Sequence, residues 1–359
     1  MEYIMRAFAD NDCIFFIKNK KFCKHCPFVN NCSKKSQPMF TSKIVSKIIA
    51  IKLLILSVFA CKQKEIPINK FNRGETMVQV IELGSKYENQ VYFSFTSDNM
   101  VQHPKKEWDL ELIKSNNSYY ILLNTSKAMR ASTLTNKEYT TIKDTLGSSS
   151  LALSDASSGN LDSTAIKKLE ASMVLVINNG YDENGKHQGF YKLKIDSIHS
   201  DYINITYSNI YKPQEYKLKW QYNSSICNRF SFIANSMVTN HPLNFDLCFT
   251  QYTTYFSDPP MFYLVTGVLS QNCEIWKIKN GNYSAISASD TINTIKTKHK
   301  DAIGYDWKTY DFATNIFTVN PNDTYIIKTS LGFLYKLHFI DFYNSDGLKG
   351  YPKFEYQMI

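Results

Sequence analysis

From Thr76 to the end, the chain alternates apolar and polar residues with a period of two, the signature of half-buried strands. Val91, Phe93 and Phe95 fall on one face of a predicted strand, with Tyr92 and Ser94 on the other. Trp108, Leu110 and Leu112 alternate with Asp109 and Glu111, and SYYILLNTS follows as the next strand. Between residues 126 and 164 periodicity fades into the Ser-rich loop GSSSLALSDASSGN, whose side chains compete for backbone hydrogen bonds. A short helix is predicted around residues 164–172. Strands resume as MVLVINN, GFYKLKIDSI and YINITYSNI. Later strands are predicted at residues 229–233, 245–250, 262–269, 314–319, 324–329, 333–342 and 353–357.

One stretch of this pattern occurs twice. FSFTSDNMVQHPKKEWDLEL (93–112) and FSFIANSMVTNHPLNFDLCF (230–249) share FSF, MV, HP and an aromatic residue before Asp-Leu, at a separation of roughly 137 positions. Gly189-Phe190-Tyr191-Lys192-Leu193 returns as Gly332-Phe333-Leu334-Tyr335-Lys336-Leu337 with one extra residue. The expected fold is therefore all-β, with two related antiparallel units in tandem at 76–212 and 213–359. His103 and His241 recur beside a proline, one in each unit. They read either as a matched pair of donors or, the expectation preferred on sequence grounds, as turn residues carried along by duplication.

The segment ahead of the repeats is different. Residues 39–60 have a basic start, an apolar run of about 13 residues and a small residue before Cys61, too short to span a bilayer, where roughly 20 are needed. This is the layout of a bacterial lipoprotein signal, with Cys61 as the lipidated residue and residues 61–75 as tether. Residues 1–38, with Cys13, Cys23, Cys26 and Cys32, are then an upstream extension, untranslated or disordered; a metal-binding knuckle is the other reading. The net charge of +9 is concentrated there, since ten of the 41 Lys and Arg but only three of the 32 Asp and Glu precede Cys61. The remainder is near neutral, and no nucleic-acid partner is expected.

With YENQVYFSFTSDNMV, FDLCFTQYTTYFSDPPMFYLVTGV, AIGYDWKTYDF and TYIIKTSLGFLYKLHFIDFYNSDGLKGYPKFEY, the chain resembles the HmuY family of bacterial surface lipoproteins over about residues 76–359. That resemblance implies an all-β fold, lipid anchoring at the cell surface or outer membrane, and haem passed to a TonB-dependent outer-membrane receptor. It carries the family's axial ligands over poorly, because the later one falls near Phe312, which cannot coordinate iron.

A haem site needs an apolar, largely aromatic cleft, one or two axial donors and basic groups for the propionates. Tyr252, Tyr255, Phe256, Met261, Phe262 and Tyr263 are candidates for the lining. His299 or Met261 would be the iron ligand, with Lys296, Lys298 or Lys300 near the propionates. The same residues also read as strand core, a gap-filling methionine and a solvated lysine run. A surface protein of this fold with a non-haem ligand or protein partner is the alternative. A secreted hydrolase is a further one, but the chain has no G-x-S-x-G, H-E-x-x-H, P-loop or G-x-G-x-x-G motif, and an enzyme is not expected. Cys227, Cys248 and Cys273 allow a Cys227–Cys248 or Cys248–Cys273 bridge, or three free thiols.

Overall fold

The computed structural model describes residues 74–359 apart from 98, 136 and 213. The upstream cysteines, the signal segment 39–60, Cys61 and all but the end of the tether lie outside the described residues. Within the described residues twenty-one strands follow one another: β1 (Met77–Val80), β2 (Asn89–Ser94), β3 (Asn99–Pro104), β4 (Leu110–Ser115), β5 (Ser118–Leu123), β6 (Arg130–Thr133), β7 (Val174–Asn178), β8 (Phe190–Ile198), β9 (Tyr202–Asn209), β10 (Glu215–Gln221), β11 (Arg229–Ser231) and β12 (Ser236–Val238). They continue with β13 (Leu247–Ser257), β14 (Pro260–Ser270), β15 (Glu274–Ile278), β16 (Lys296–Thr297), β17 (Lys308–Asp311), β18 (Ile316–Val319), β19 (Thr324–Lys328), β20 (Leu334–Tyr343) and β21 (Lys349–Met358). Among the described residues the only helical pieces are single 3-10 turns. The expected helix at 164–172 is absent: Ala165, Ile166 and Leu169 are buried, and Leu169 N–H donates to Tyr119 O, so tertiary burial sets this segment in place of a local ladder.

All named strand pairs are antiparallel, and four sheets enclose two principal cores. Sheet β1-β21-β20-β19-β15-β16 and sheet β14-β13-β2-β3 bury Phe93, Phe95, Phe249, Trp307, Phe339 and Phe354. Sheet β10-β9-β8-β7-β6 and sheet β12-β11-β4-β5 bury Leu110, Ile121, Leu193, Trp220, Phe230 and Phe232. The packing does not divide at residues 212 and 213. The early hairpin β2–β3 joins β13 of the later half, with Leu247 opposite Phe93, and β11–β12 joins β4 of the earlier half, with Phe230 opposite Leu110. The two FSF hairpins are thus exchanged between the lobes.

The exchange has a physical basis in the repeated residues. Phe93 lies against Phe354 (5.5 Å) and Phe95 stacks on Tyr335 (4.6 Å), while Phe232 stacks on Tyr191 (4.1 Å) and Phe230 meets Tyr207 (5.3 Å). Burying each phenyl ring is worth roughly 1.5–3 kcal/mol, so the four anchor both hairpins firmly. The Asp of each Asp-Leu pair then caps the other hairpin. Asp109 N–H donates to Phe230 O and its Oδ2 accepts from Phe232 N (2.6 Å), as Asp246 N–H donates to Phe93 O and its Oδ2 accepts from Phe95 N (2.8 Å). At the other ends of the lobes, Lys192 donates to the carbonyls of Tyr139 and Ile142, and Lys336 to those of Tyr283 and Ile286, each ammonium lying over the tyrosine ring.

Cys227, Cys248 and Cys273 are buried free thiols, so neither expected bridge is formed. Burial pushes Cys248 and Cys273 up to about 12, Cys273 with help from Asp246, which keeps both as inert thiols.

Candidate functional site

The predicted haem residues divide between two ends of one hairpin. Strands β13 and β14 pair over eleven residues from Leu247–Ser270 to Ser257–Pro260, buried at their base and solvated towards the tip. Alternation puts Phe256, Met261 and Tyr263 on one face of that tip, where Phe256 stacks on Tyr263 (5.3 Å) and Tyr305 stands 6.0 Å away. On the opposite face Tyr255 meets Phe262 (5.3 Å) edge to face, and the Arg130 guanidinium lies 5.1 Å from the Phe262 ring centre. Tyr255, Met261 and Tyr263 are 56%, 41% and 49% exposed, whereas Tyr252 is core, as its plain reading requires.

His299 belongs to the other end. Its carbonyl accepts from Ser270 Oγ at the base of β14, nine residues from Met261, which at about 3.4 Å per residue is roughly 30 Å along the strand. The structure therefore puts Met261 and Tyr263 on one face of the tip and Tyr255 on the other, and leaves His299 out. The lysines beside it are also committed: Lys296 and Lys298 both pair with Glu274 (3.2 and 3.1 Å). Phe312 stands on the turn between β17 and β18, 86% exposed, with its ring against Tyr310.

A second concentration of chemistry lies where the exchanged hairpins meet. Tyr92 on β2 and Arg229 on β11 occupy matching places in the repeat and touch, Arg229 Nη1 donating to Tyr92 Oη (2.8 Å). The same guanidinium donates from Nε to Glu111 Oε2 (3.2 Å), reaches His241 Nδ1 with Nη1 (2.7 Å), and lies 4.2 Å from the Trp108 ring centre. Trp108 Nε1 and Tyr92 Oη both donate to Gln90 Oε1 (2.9 and 3.3 Å). A cavity of about 280 Å³ opens here, lined in part by Tyr92, Trp108, Glu111, Arg229, Phe245 and Cys248. That is just under the roughly 300–1,000 Å³ usual for small-molecule pockets.

At the edge of this group the two His-Pro histidines meet. Their rings stack at 3.9 Å between centres and 20° between planes, and Glu107 Oε2 lies 3.0 Å from His103 Nδ1 and 3.2 Å from His241 Nε2. His103 is a strand residue and not part of a turn. Burial, then the Arg229 guanidinium, then His103 push His241 down to about 2, so it is neutral; because a guanidinium only donates, His241 Nδ1 is the accepting nitrogen. Sequence reasoning missed Arg229, Tyr92 and Glu107. The signal was the alignment of the repeats, which sets Tyr92 against Arg229; nothing in it says that aligned residues touch.

The HmuY protein family matches this chain over residues 86–356. No curated protein matches it. Among solved structures, apo PinO from Porphyromonas gingivitis is 10% identical with a TM-score of 0.33, 79% of this chain and 97% of that one being covered. The apo HmuY analogue of Tannerella forsythia is 10% identical with a TM-score of 0.30, covering 80% and 98%. A putative HmuY-like haem-binding protein from Bacteroides vulgatus is 12% identical with a TM-score of 0.21, covering 35% and 81%.

Proposed function

The chain belongs to the HmuY family, and on that premise we propose that it captures haem on the projecting tip of the β13–β14 hairpin. The observation that carries this reading is the exposure of Tyr255, Met261 and Tyr263 around Phe256 and Phe262, aromatic surface of a kind that a protein leaves uncovered for a ligand or partner. The residue chemistry fits the group. Phe256 and Tyr263 offer a flat apolar face, and on it Met261 would supply a thioether, or Tyr263 a phenol, to the iron. Haem itself brings the iron that accepts those donors. His299, a hairpin's length away, takes no part. Lipidation of Cys61 would hold the protein at the outer membrane, and a TonB-dependent receptor there would receive the haem.

Titration with haemin tests the reading. The expected result is a saturable Soret shift at one equivalent, altered in Met261→Ala/Tyr263→Phe and unchanged in His299→Ala. No shift in either oxidation state refutes haem capture; a shift lost only in His299→Ala moves the site to the hairpin base. Incorporation of labelled fatty acid, abolished by Cys61→Ala, tests the anchor.

A further inference from the structure

We infer that His103, Glu107 and His241 form a site for one divalent transition-metal ion of the zinc class, placed between the two exchanged hairpins. Two imidazoles and a carboxylate offer ligand atoms that all lie within 4.8 Å of one another. Two imidazole nitrogens with a carboxylate are a donor set that zinc accepts, leaving a fourth position for water.

Packing alone is the simpler account of stacked rings, and it leaves something unexplained. The Nε2 atoms of both histidines are buried without a hydrogen-bond partner. Glu107 Oε2 is within 3.2 Å of His241 Nε2 but does not lie in line for a hydrogen bond to it. Buried polar atoms are ordinarily satisfied, and two adjacent unpartnered imidazole nitrogens beside one carboxylate are donors that a cation would satisfy. The charges agree. Two carboxylates, Glu107 and Glu111, stand against one guanidinium, Arg229, in this group.

The rings lie face to face, while the lone pairs that bind metal lie in the ring planes. Loading therefore turns the imidazoles out of the stack so that two nitrogens converge on the ion. His241 then ligates through Nε2 and carries its proton on Nδ1, where Tyr92 Oη, 3.1 Å away, accepts it. Arg229 gives up His241 and keeps Glu111, Tyr92 and the Trp108 face. Entry is from the Glu107 side, because the Glu107 side chain is 30% exposed and that of His241 is fully buried. His103 lies near the end of β3, which packs with the later lobe, and His241 follows β12, which packs with the earlier one. The ion would bridge the lobes where the hairpins cross.

The test is calorimetric titration of the untagged full chain with zinc, repeated with cobalt, whose visible absorption reports ligand type. Cysteine thiolates are themselves zinc ligands and four precede Cys61, so the readout is the difference between variants. His241→Gln and His103→Gln should each lose one equivalent and the cobalt bands of a nitrogen and oxygen site. Glu107→Gln, at a partly exposed side chain that still reaches His103, should fold normally and bind that equivalent at least tenfold more weakly, and it decides the matter alone if either histidine variant fails to fold. His187→Gln should behave as the parent. Zinc equivalents and cobalt bands unchanged in folded Glu107→Gln, or in both histidine variants, overturn the proposal.

Discussion

Asp109 and Asp246 hold matching places and cap matching hairpins, yet their replacement by asparagine should have very different costs. Asp109 uses both oxygens: Oδ2 accepts from Phe232 N, and Oδ1 pairs with the Lys127 ammonium, both side chains being fully buried. The Asp109→Asn amide would keep one acceptor and turn its N–H₂ towards a buried ammonium whose other side-chain partner is Asn179 Oδ1 at 3.3 Å. Asp246 uses one oxygen, Oδ2, for both Phe95 N and Ser94 Oγ, and burial holds its carboxyl above the usual range. In Asp246→Asn the amide oxygen would keep both bonds. Stranding one member of a buried ion pair costs about 3–5 kcal/mol, and a preserved hydrogen bond changes by less than about 1 kcal/mol. With a urea m-value of about 3 kcal/mol/M, Asp109→Asn should lower the unfolding midpoint by about 1–1.7 M and Asp246→Asn by about 0.3 M or less. Asp109→Asn/Lys127→Met should recover most of the loss, because removing both charges leaves none unpaired. Equal costs for the two single variants, measured by circular dichroism in urea, would refute this account of the hairpin caps.

Lys308 is buried among Trp307, Phe317 and Phe342, its ammonium donating to Thr266 O (2.6 Å), and burial lowers it to about 7 from 10.5. Between those values the unfolded chain holds a proton that the folded one has lost, so stability rises with pH; from pH 7 to 9 the parent should gain up to about 3 kcal/mol relative to Lys308→Met in urea unfolding, and parallel profiles would contradict this. The thiols of Cys227, Cys248 and Cys273 should resist iodoacetamide in the native protein at pH 8, and peptides bearing them should be labelled in denaturant without prior reduction. A cross-linked pair on peptide mapping would disprove the free-thiol state. A Cβ on Gly267 would stand 2.3 Å from Gly304 O, where Val268 and Gly304 bridge β14 to the loop after His299, so Gly267→Ala should cost about 1–3 kcal/mol; a change below about 0.5 would show that the loop yields freely.

Strand type and inward face were legible in the residues themselves. The alternation through Val91, Phe93 and Phe95 and through Leu110 and Leu112 fixes which side chains enter a core, because successive strand residues point to opposite faces. The HmuY resemblance was equally legible, but the strands expected at 245–250 and 262–269 stop short of the hairpin tip that carries Tyr255 and Met261. Strands without clean alternation escaped notice, such as β6 (RAST), β12 (SMV) and β15 (EIWKI), and so did the Lys-bearing edge strand β10 (EYKLKWQ). β6 and β12 are too short to show a period, whereas β10 and β15 do bury apolar residues, Trp220 and Ile275, among flanking charged ones. His299 and Met261 read as alternative donors for one cleft, and the length of β14 separates them.

What alternation cannot express is the identity of a strand's partner. β2 could satisfy its hydrogen bonds beside β4, which follows it closely, or beside β13, more than 150 residues on. The choice is made by which core receives Phe93 and Phe95 and which Asp caps them. That choice, made twice in opposite directions, exchanges the hairpins and brings Tyr92 to Arg229 and His103 to His241. The sequence alone determined what would be buried; the tertiary structure decided against what, because burial is a property of each residue and pairing is a property of two distant ones.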